Sequence, residues 1–217
     1  MFGIFDSLVK FLTDSLNVLY NFTASFGIAN YGLAIILLTI IVKTIMFPLT
    51  FKQMNSMKKM SELSPKIKEI QTKYKSQPDK ANAAVMELYK EHKVNPFSGC
   101  LPLIIQMPIF IGLYNALLHA NFGANPYFLW FNLKNQHDIV LALLAALTTY
   151  FQSKLSGTNP NDPTYKTMLY VMPIFLGYIS WTVPTGLALY WVTMNIMSIL
   201  QQIWINKKIG KISVQKA

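Results

Sequence analysis

Lys43 is the residue whose chemistry is hardest to reconcile with its neighbours. It follows Leu33 to Val42, an almost wholly apolar run, and precedes Met46-Phe47-Pro48-Leu49. An ionised side chain inside a hydrophobic span costs roughly 2.5–3.5 kcal/mol even on a lenient insertion scale. Two arrangements meet that cost. Lys43 stands eight residues before Phe51, about 12 Å of helix, so its stem can carry the ammonium part of the way to the interface. Alternatively it lines a hydrated polar cavity.

Other polar residues bear on the choice. Thr39 stands one helical turn before Lys43 on the same face. Gln106 interrupts a second apolar run, Thr148 and Gln152 share a face of a third, and Trp191 and Asn195 share a face of the last, beside Tyr190. One polar residue per span would be background. Polar positions in several spans, one of them a cation, favour a shared cavity. The competing explanation is hydrogen bonding between packed spans.

Nothing in the chain has the pattern of a catalytic site. A phosphate-binding glycine loop, HExxH and GxSxG are all missing. His92, His119 and His137 fall in different segments, and Cys100 is the single cysteine, so a cysteine-rich metal site is excluded. No catalytic residue, metal or cofactor is expected, and the protein is not expected to be an enzyme.

The elements that must position these residues are apolar helices. Of 217 residues, 53% are hydrophobic and 13% charged, about half the charged share of a soluble domain. Several apolar runs approach the ~20 residues needed to cross a bilayer. Residues 2–20 read as an amphipathic helix, with Phe2, Phe5, Leu8, Val9, Leu12, Leu16 and Leu19 at helical spacing and Asp6, Lys10 and Asp14 between them. Such a helix suits the headgroup layer. Met1 to Leu12 lacks the layout of a cleaved secretory signal.

Five spans follow: Tyr31 to about Phe51, Gly99 to about Ala120, a core from Ile139 to Ser153, Tyr165 to Thr182, and Leu187 to Ile205. Pro102, Pro108 and Pro173 predict kinks whose freed carbonyls need partners. Residues 52–98 are polar and predict an antiparallel helical hairpin, with Ser64-Pro65 read as an N-cap and first helical residue. Met54, Met57 and Met60 form a flexible apolar stripe at its entrance. Residues 121–136 are rich in interfacial aromatics, among them Phe122, Tyr127, Phe128, Trp130 and Phe131. Asp162-Pro163 predicts another helix start, and Val183-Pro184-Thr185-Gly186 a tight turn.

Charge sets the orientation. The formal net charge is +10, and every basic residue is lysine. Residues 52–98, the loop at 154–166 and the tail hold sixteen lysines together, against Lys10 and Lys134 on the other side. That clustering between spans is a topology signal, not a nucleic-acid footprint, and no DNA partner is expected. The positive-inside rule places the hairpin and C-terminus in the cytoplasm and the N-terminus outside.

Several blocks resemble the YidC family of membrane protein insertases. They are Lys43-Thr44-Ile45-Met46-Phe47-Pro48-Leu49-Thr50, Leu63-Ser64-Pro65-Lys66-Ile67 and Met86-Glu87-Leu88-Tyr89-Lys90. The most specific runs from Val94-Asn95-Pro96-Phe97-Ser98-Gly99-Cys100 through Leu101-Pro102 and Gln106-Met107-Pro108 to Phe110. Pro184-Thr185-Gly186-Leu187-Ala188-Leu189-Tyr190-Trp191 and Gln201-Gln202 complete the set, so the resemblance covers about residues 30–208.

The resemblance implies an all-α polytopic membrane protein with five transmembrane helices around a hydrophilic groove, open to cytoplasm and lipid and closed outside. It implies a cytoplasmic helical hairpin and an external N-terminal amphipathic helix. The expected division is an interfacial helix at 1–29, an insertase core at 30–208 and a short basic tail at 209–217. A short form without the large outer domain of some relatives is expected. Where the family groove usually carries arginine, this sequence has Lys43; Thr39, Gln106 and Trp191 look like matches to groove positions. Tyr190 is adjacent, and Asn195 joins the set by its helical face. The implied setting is the bacterial inner membrane. The implied partners are nascent membrane proteins and the lipid bilayer, with the Sec translocon, ribosome and signal recognition particle receptor as candidates for the hairpin.

The expected activity is membrane protein insertion and chaperoning, with the groove receiving polar substrate segments. A small-solute or ion transporter is the alternative. It accounts for intramembrane polar residues but poorly for the basic hairpin, and inverted repeats are not apparent. A lateral assembly scaffold is compatible with insertion.

Overall fold

The computed structural model describes residues 2–95, 101–119, 126–156 and 166–214. The expected helix start at Asp162-Pro163, the aromatic Phe122, and 96–100 of the most specific block lie outside the described residues.

Helix α1 (Phe2–Ser25) is longer than its periodicity predicts. Leu12 and Leu16 are buried in the main core beside Leu113, Ala116 and Leu117, so one face of α1 packs on α2 (Tyr31–Ile45) and α6 (Leu101–His119). Phe11, Val18 and Phe22 remain exposed on its other side. Asn30 caps α2: its Oδ1 accepts from the N–H groups of Gly32 (2.8 Å) and Leu33 (3.4 Å). Its Nδ2 donates to the Tyr127 carbonyl at 2.8 Å.

The expected single span Tyr31–Phe51 is broken. α2 ends at Met46, and α3 (Phe47–Glu62) leaves at 60°. Pro48 explains the break, because it has no N–H to offer the carbonyl one turn back. α4 (Ser64–Lys73) and α5 (Pro78–Glu91) form the hairpin. Their small core is Leu63, Leu88 and Val94 with Met60, Ile67, Ile70 and Tyr89. The N-cap of α4 is Leu63 with no side-chain cap bond, so Ser64 does not cap as its sequence context predicts. The backbone runs from α3 into α4 in helical geometry and leaves no extended cap position.

Two features depart from regular α-helix. Tyr127–Phe128 and Phe131–Asn132 pair as a short antiparallel ribbon, β1 and β2, where aromatic content alone predicts no strand. Thr167–Val171 is a π-helical turn before α8 (Met172–Thr182). There the Met172 N–H bonds the Thr167 carbonyl, a wider turn that accommodates Pro173, which cannot donate.

Helix α7 (Ile139–Ser156) starts at Asp138, whose Oδ1 accepts from the Leu141 N–H at 2.9 Å. It packs closely on α8. A Cβ on Gly177 would stand 2.9 Å from the Ala146 Cβ and 3.3 Å from the Ala142 carbonyl oxygen. Gly177→Val is therefore expected to destabilise by about 1–3 kcal/mol, read as a lower unfolding temperature in detergent; an unchanged temperature would refute this close packing.

The last helix, α9 (Thr185–Val214), is continuous and carries the tail into helix. Its first N–H groups are met by the connector, with Thr185 N–H to Asn135 O at 2.7 Å and Gly186 N–H to Leu133 O at 3.0 Å. The Thr185 hydroxyl also donates to Asn135 O at 2.8 Å. Among the described residues, Ile139–Ser156 alone is long and apolar enough to cross a membrane unaided, and the bent pair α2–α3 passes as one unit. Ile105–Leu118 and Thr167–Thr182 are shorter apolar helices. α9 has the length, but Asn195, Ser198, Gln201 and Gln202 dilute its apolarity.

Candidate functional site

The polar residues converge on α9, which packs against α2, α6 and α7. The Tyr190 hydroxyl accepts from Gln106 Nε2 on α6. Trp191 Nε1 donates to Thr149 Oγ1 on α7 at 3.3 Å, and its ring stands edge-on to Phe110 at 5.5 Å. Asn195 Nδ2 donates to Thr149 Oγ1 at 2.8 Å and Thr148 Oγ1 at 3.1 Å. One turn further on, Lys43 Nζ donates to Ser198 Oγ at 2.9 Å. Gln201 Nε2 reaches the Lys43 carbonyl at 3.0 Å. The result is a polar seam on one helix that meets α6 at Tyr190, α7 at Trp191 and Asn195, and α2 at Ser198 and Gln201.

Burial divides this seam. Thr39, Tyr190 and Asn195 are 1%, 4% and 0% exposed, so none of them offers a surface. Thr39 spends its hydroxyl on the Ile35 carbonyl at 2.7 Å. Lys43, Gln106 and Trp191 are half-buried and retain accessible atoms. Lys43 has Ser198 as its side-chain partner among the described residues, leaving ammonium donors uncommitted.

Ser198, Gln201 and Thr149 were not singled out by sequence reasoning as parts of a site. Ser198 and Gln201 continue the face of Met194 at helical spacing, which is a usable signal. Thr149 stands beside Thr148, and both hydroxyls meet Asn195 on α9; Thr149 also accepts from Trp191. Three buried acceptors on α9, Asn195 Oδ1, Gln201 Oε1 and Gln202 Oε1, lack a hydrogen-bond partner among the described residues. Such groups are costly in an apolar interior. A half-buried cation with hydroxyls and amides attracts anionic or strongly polar segments; it contains no nucleophile–base pair for covalent chemistry.

Fold and seam together define a helical membrane protein with a polar interior on its last helix. A family model described as "60Kd inner membrane protein" matches residues 21–212, and the chain belongs to this family of inner membrane proteins.

The curated relatives are named membrane protein insertase YidC. The chain is 41% identical over 212 residues to that of Citrifermentans bemidjiense, covering 96% of this chain and 38% of the relative. It thus spans under two-fifths of the length of that relative. It is 40% identical over 206 residues to that of Fusobacterium nucleatum, covering 94% of this chain and 98% of the relative. A crystal structure of active YidC insertase with its first transmembrane domain resolved matches with a TM-score of 0.68 at 29% identity, over 91% of this chain and 45% of that one.

Proposed function

We propose that this protein is a membrane protein insertase and chaperone that acts without a cofactor or an enzymatic step. Its five spans are α2 with the start of α3, then α6, α7, the π turn with α8, and α9. The observation that carries the reading is Lys43: a half-buried cation in an apolar helix, hydrogen-bonded to Ser198 on α9. The insertase names of relatives that align over nearly the whole chain support it.

In this reading Lys43, Gln106 and Trp191 line a hydrated groove, and Thr39, Tyr190 and Asn195 form the wall behind them. The groove lowers the desolvation cost of a polar substrate tail, and Lys43 attracts acidic residues in it. The apolar span of the substrate then moves from groove to lipid, where its burial favours release. The membrane potential assists an acidic tail moving outward by about 2.3 kcal/mol per charge per 100 mV. The connector carbonyls that cap α9 favour a groove closed on the outer side.

The lysine asymmetry supports an inner-membrane orientation with the N-terminus outside and the C-terminus in the cytoplasm. α1 then lies at the outer surface with Phe11, Val18 and Phe22 toward lipid. The basic hairpin of α4 and α5 faces the cytoplasm, where the Sec translocon, the ribosome and the signal recognition particle receptor are its proposed partners.

Site-specific photocrosslinking during substrate synthesis tests the groove. Probes at Gln106 and Trp191 are expected to capture the nascent chain, and a probe at the enclosed Asn195 is expected to capture little. Equal capture at all three would overturn the division between lining and wall. Solute flux in proteoliposomes without insertion would favour a transporter instead.

A further inference from the structure

Lys43 is fastened at both ends by α9. Its ammonium donates to Ser198 Oγ at 2.9 Å, and its carbonyl accepts from Gln201 Nε2 at 3.0 Å. Ser198 in turn donates its hydroxyl hydrogen to the Met194 carbonyl at 2.8 Å. That bond commits the single O–H, so the oxygen facing Lys43 offers only lone pairs. The hydroxyl dipole is thereby oriented to favour a cation. Gln201 meets Lys43 where α2 breaks by 60° into α3, so the backbone bearing the lysine is pinned beside the bend.

A lysine stem is long and flexible, and near the end of a span it reaches toward the interface when nothing holds it. The bend begins only three residues beyond Lys43, at Met46. Depth in the membrane is therefore not set by the lysine alone.

We propose that Ser198 is a positioning residue: it holds the Lys43 ammonium at groove depth, and so sets the preference for acidic substrate tails. Gln201 supports it by fixing the Lys43 backbone. This inference rests on the insertase reading, with Lys43 as the group that meets the substrate.

The test uses the full chain in proteoliposomes and two single-span substrates that differ only in an acidic or a neutral tail. Ser198→Thr and Ser198→Val have the same shape, but only threonine keeps the accepting hydroxyl. Ser198→Val is expected to lower the acidic-to-neutral insertion ratio by about tenfold, in keeping with loss of a charge-assisted hydrogen bond. Ser198→Thr is expected to hold the ratio near that of the parent. Equal ratios for the two variants would overturn the positioning role, as would a parallel loss for both substrates. Lys43→Ala separates the two levels: a ratio that falls with Lys43→Ala but not with Ser198→Val rejects only the role of Ser198. A ratio unmoved by Lys43→Ala rejects the groove reading itself.

Discussion

Lys43→Ala is expected to reduce insertion of single-span substrates with acidic tails by roughly ten- to a hundredfold, while Lys43→Arg retains most of it. One charge-assisted contact is worth about 1.5–3 kcal/mol where water is partly excluded, which sets the size of the loss. Lys43 is half-buried, with Ser198 as its side-chain partner and donors to spare. A substrate carboxylate can join without displacing an existing ion pair. Arginine keeps the charge and adds a planar fork that binds a carboxylate through two bonds. The measurement is the inserted fraction in cells depleted of their own insertase. Undiminished insertion by Lys43→Ala would remove Lys43 from the mechanism.

The second large effect is structural. Gly32→Ala is expected to destabilise the protein by about 2–3 kcal/mol, although alanine in a helix is ordinarily favoured over glycine by about 1 kcal/mol. The reason is the β1–β2 ribbon: a Cβ on Gly32 would stand 2.3–2.5 Å from Phe128 Cγ, Cβ and Cδ2. The Phe128 Cβ is tied to the backbone of β1 and cannot swing away. The ribbon must therefore shift, straining the Asn30 Nδ2 bond to the Tyr127 carbonyl. Unfolding temperature in detergent measures the loss. Phe128→Ala in the Gly32→Ala background should recover part of it, giving a coupling energy between the two positions. A Gly32→Ala protein as stable as the parent would show that the ribbon is not seated on α2.

Much of the fold is legible in the sequence. Apolar runs locate α6 and α7 to within a few residues and place the starts of α2 and α9, because burying an apolar helix leaves a continuous compositional trace; α2 stops at Ile45, short of the expected Phe51, and α9 continues to Val214, past the expected Ile205. Local cap signals are a weaker guide: the cap expected at Ser64 falls inside the first turn of α4, while Asn30 and Asp138, which the sequence reading did not single out, cap α2 and α7. The bend at Met46 follows from Pro48, yet the run Tyr31–Phe51 reads as one span because hydropathy carries no direction. The ribbon at 127–132 is too short to leave a periodic signal.

The amino-acid sequence alone specifies that the chain is helical and apolar, that its lysines gather in the segments between apolar runs, and that one cation, Lys43, closes the apolar run from Leu33 to Val42. These are properties of neighbours along the chain. Which polar groups meet is fixed by the packing of the helices. Lys43 finds Ser198 across 155 residues, and Asn195 finds Thr149 across 46. Helical spacing places a residue on a face but does not say which neighbour covers that face, nor how completely. That is why Asn195 and Tyr190, read as equals of Lys43 on polarity alone, turn out enclosed, while Lys43 is only half-buried.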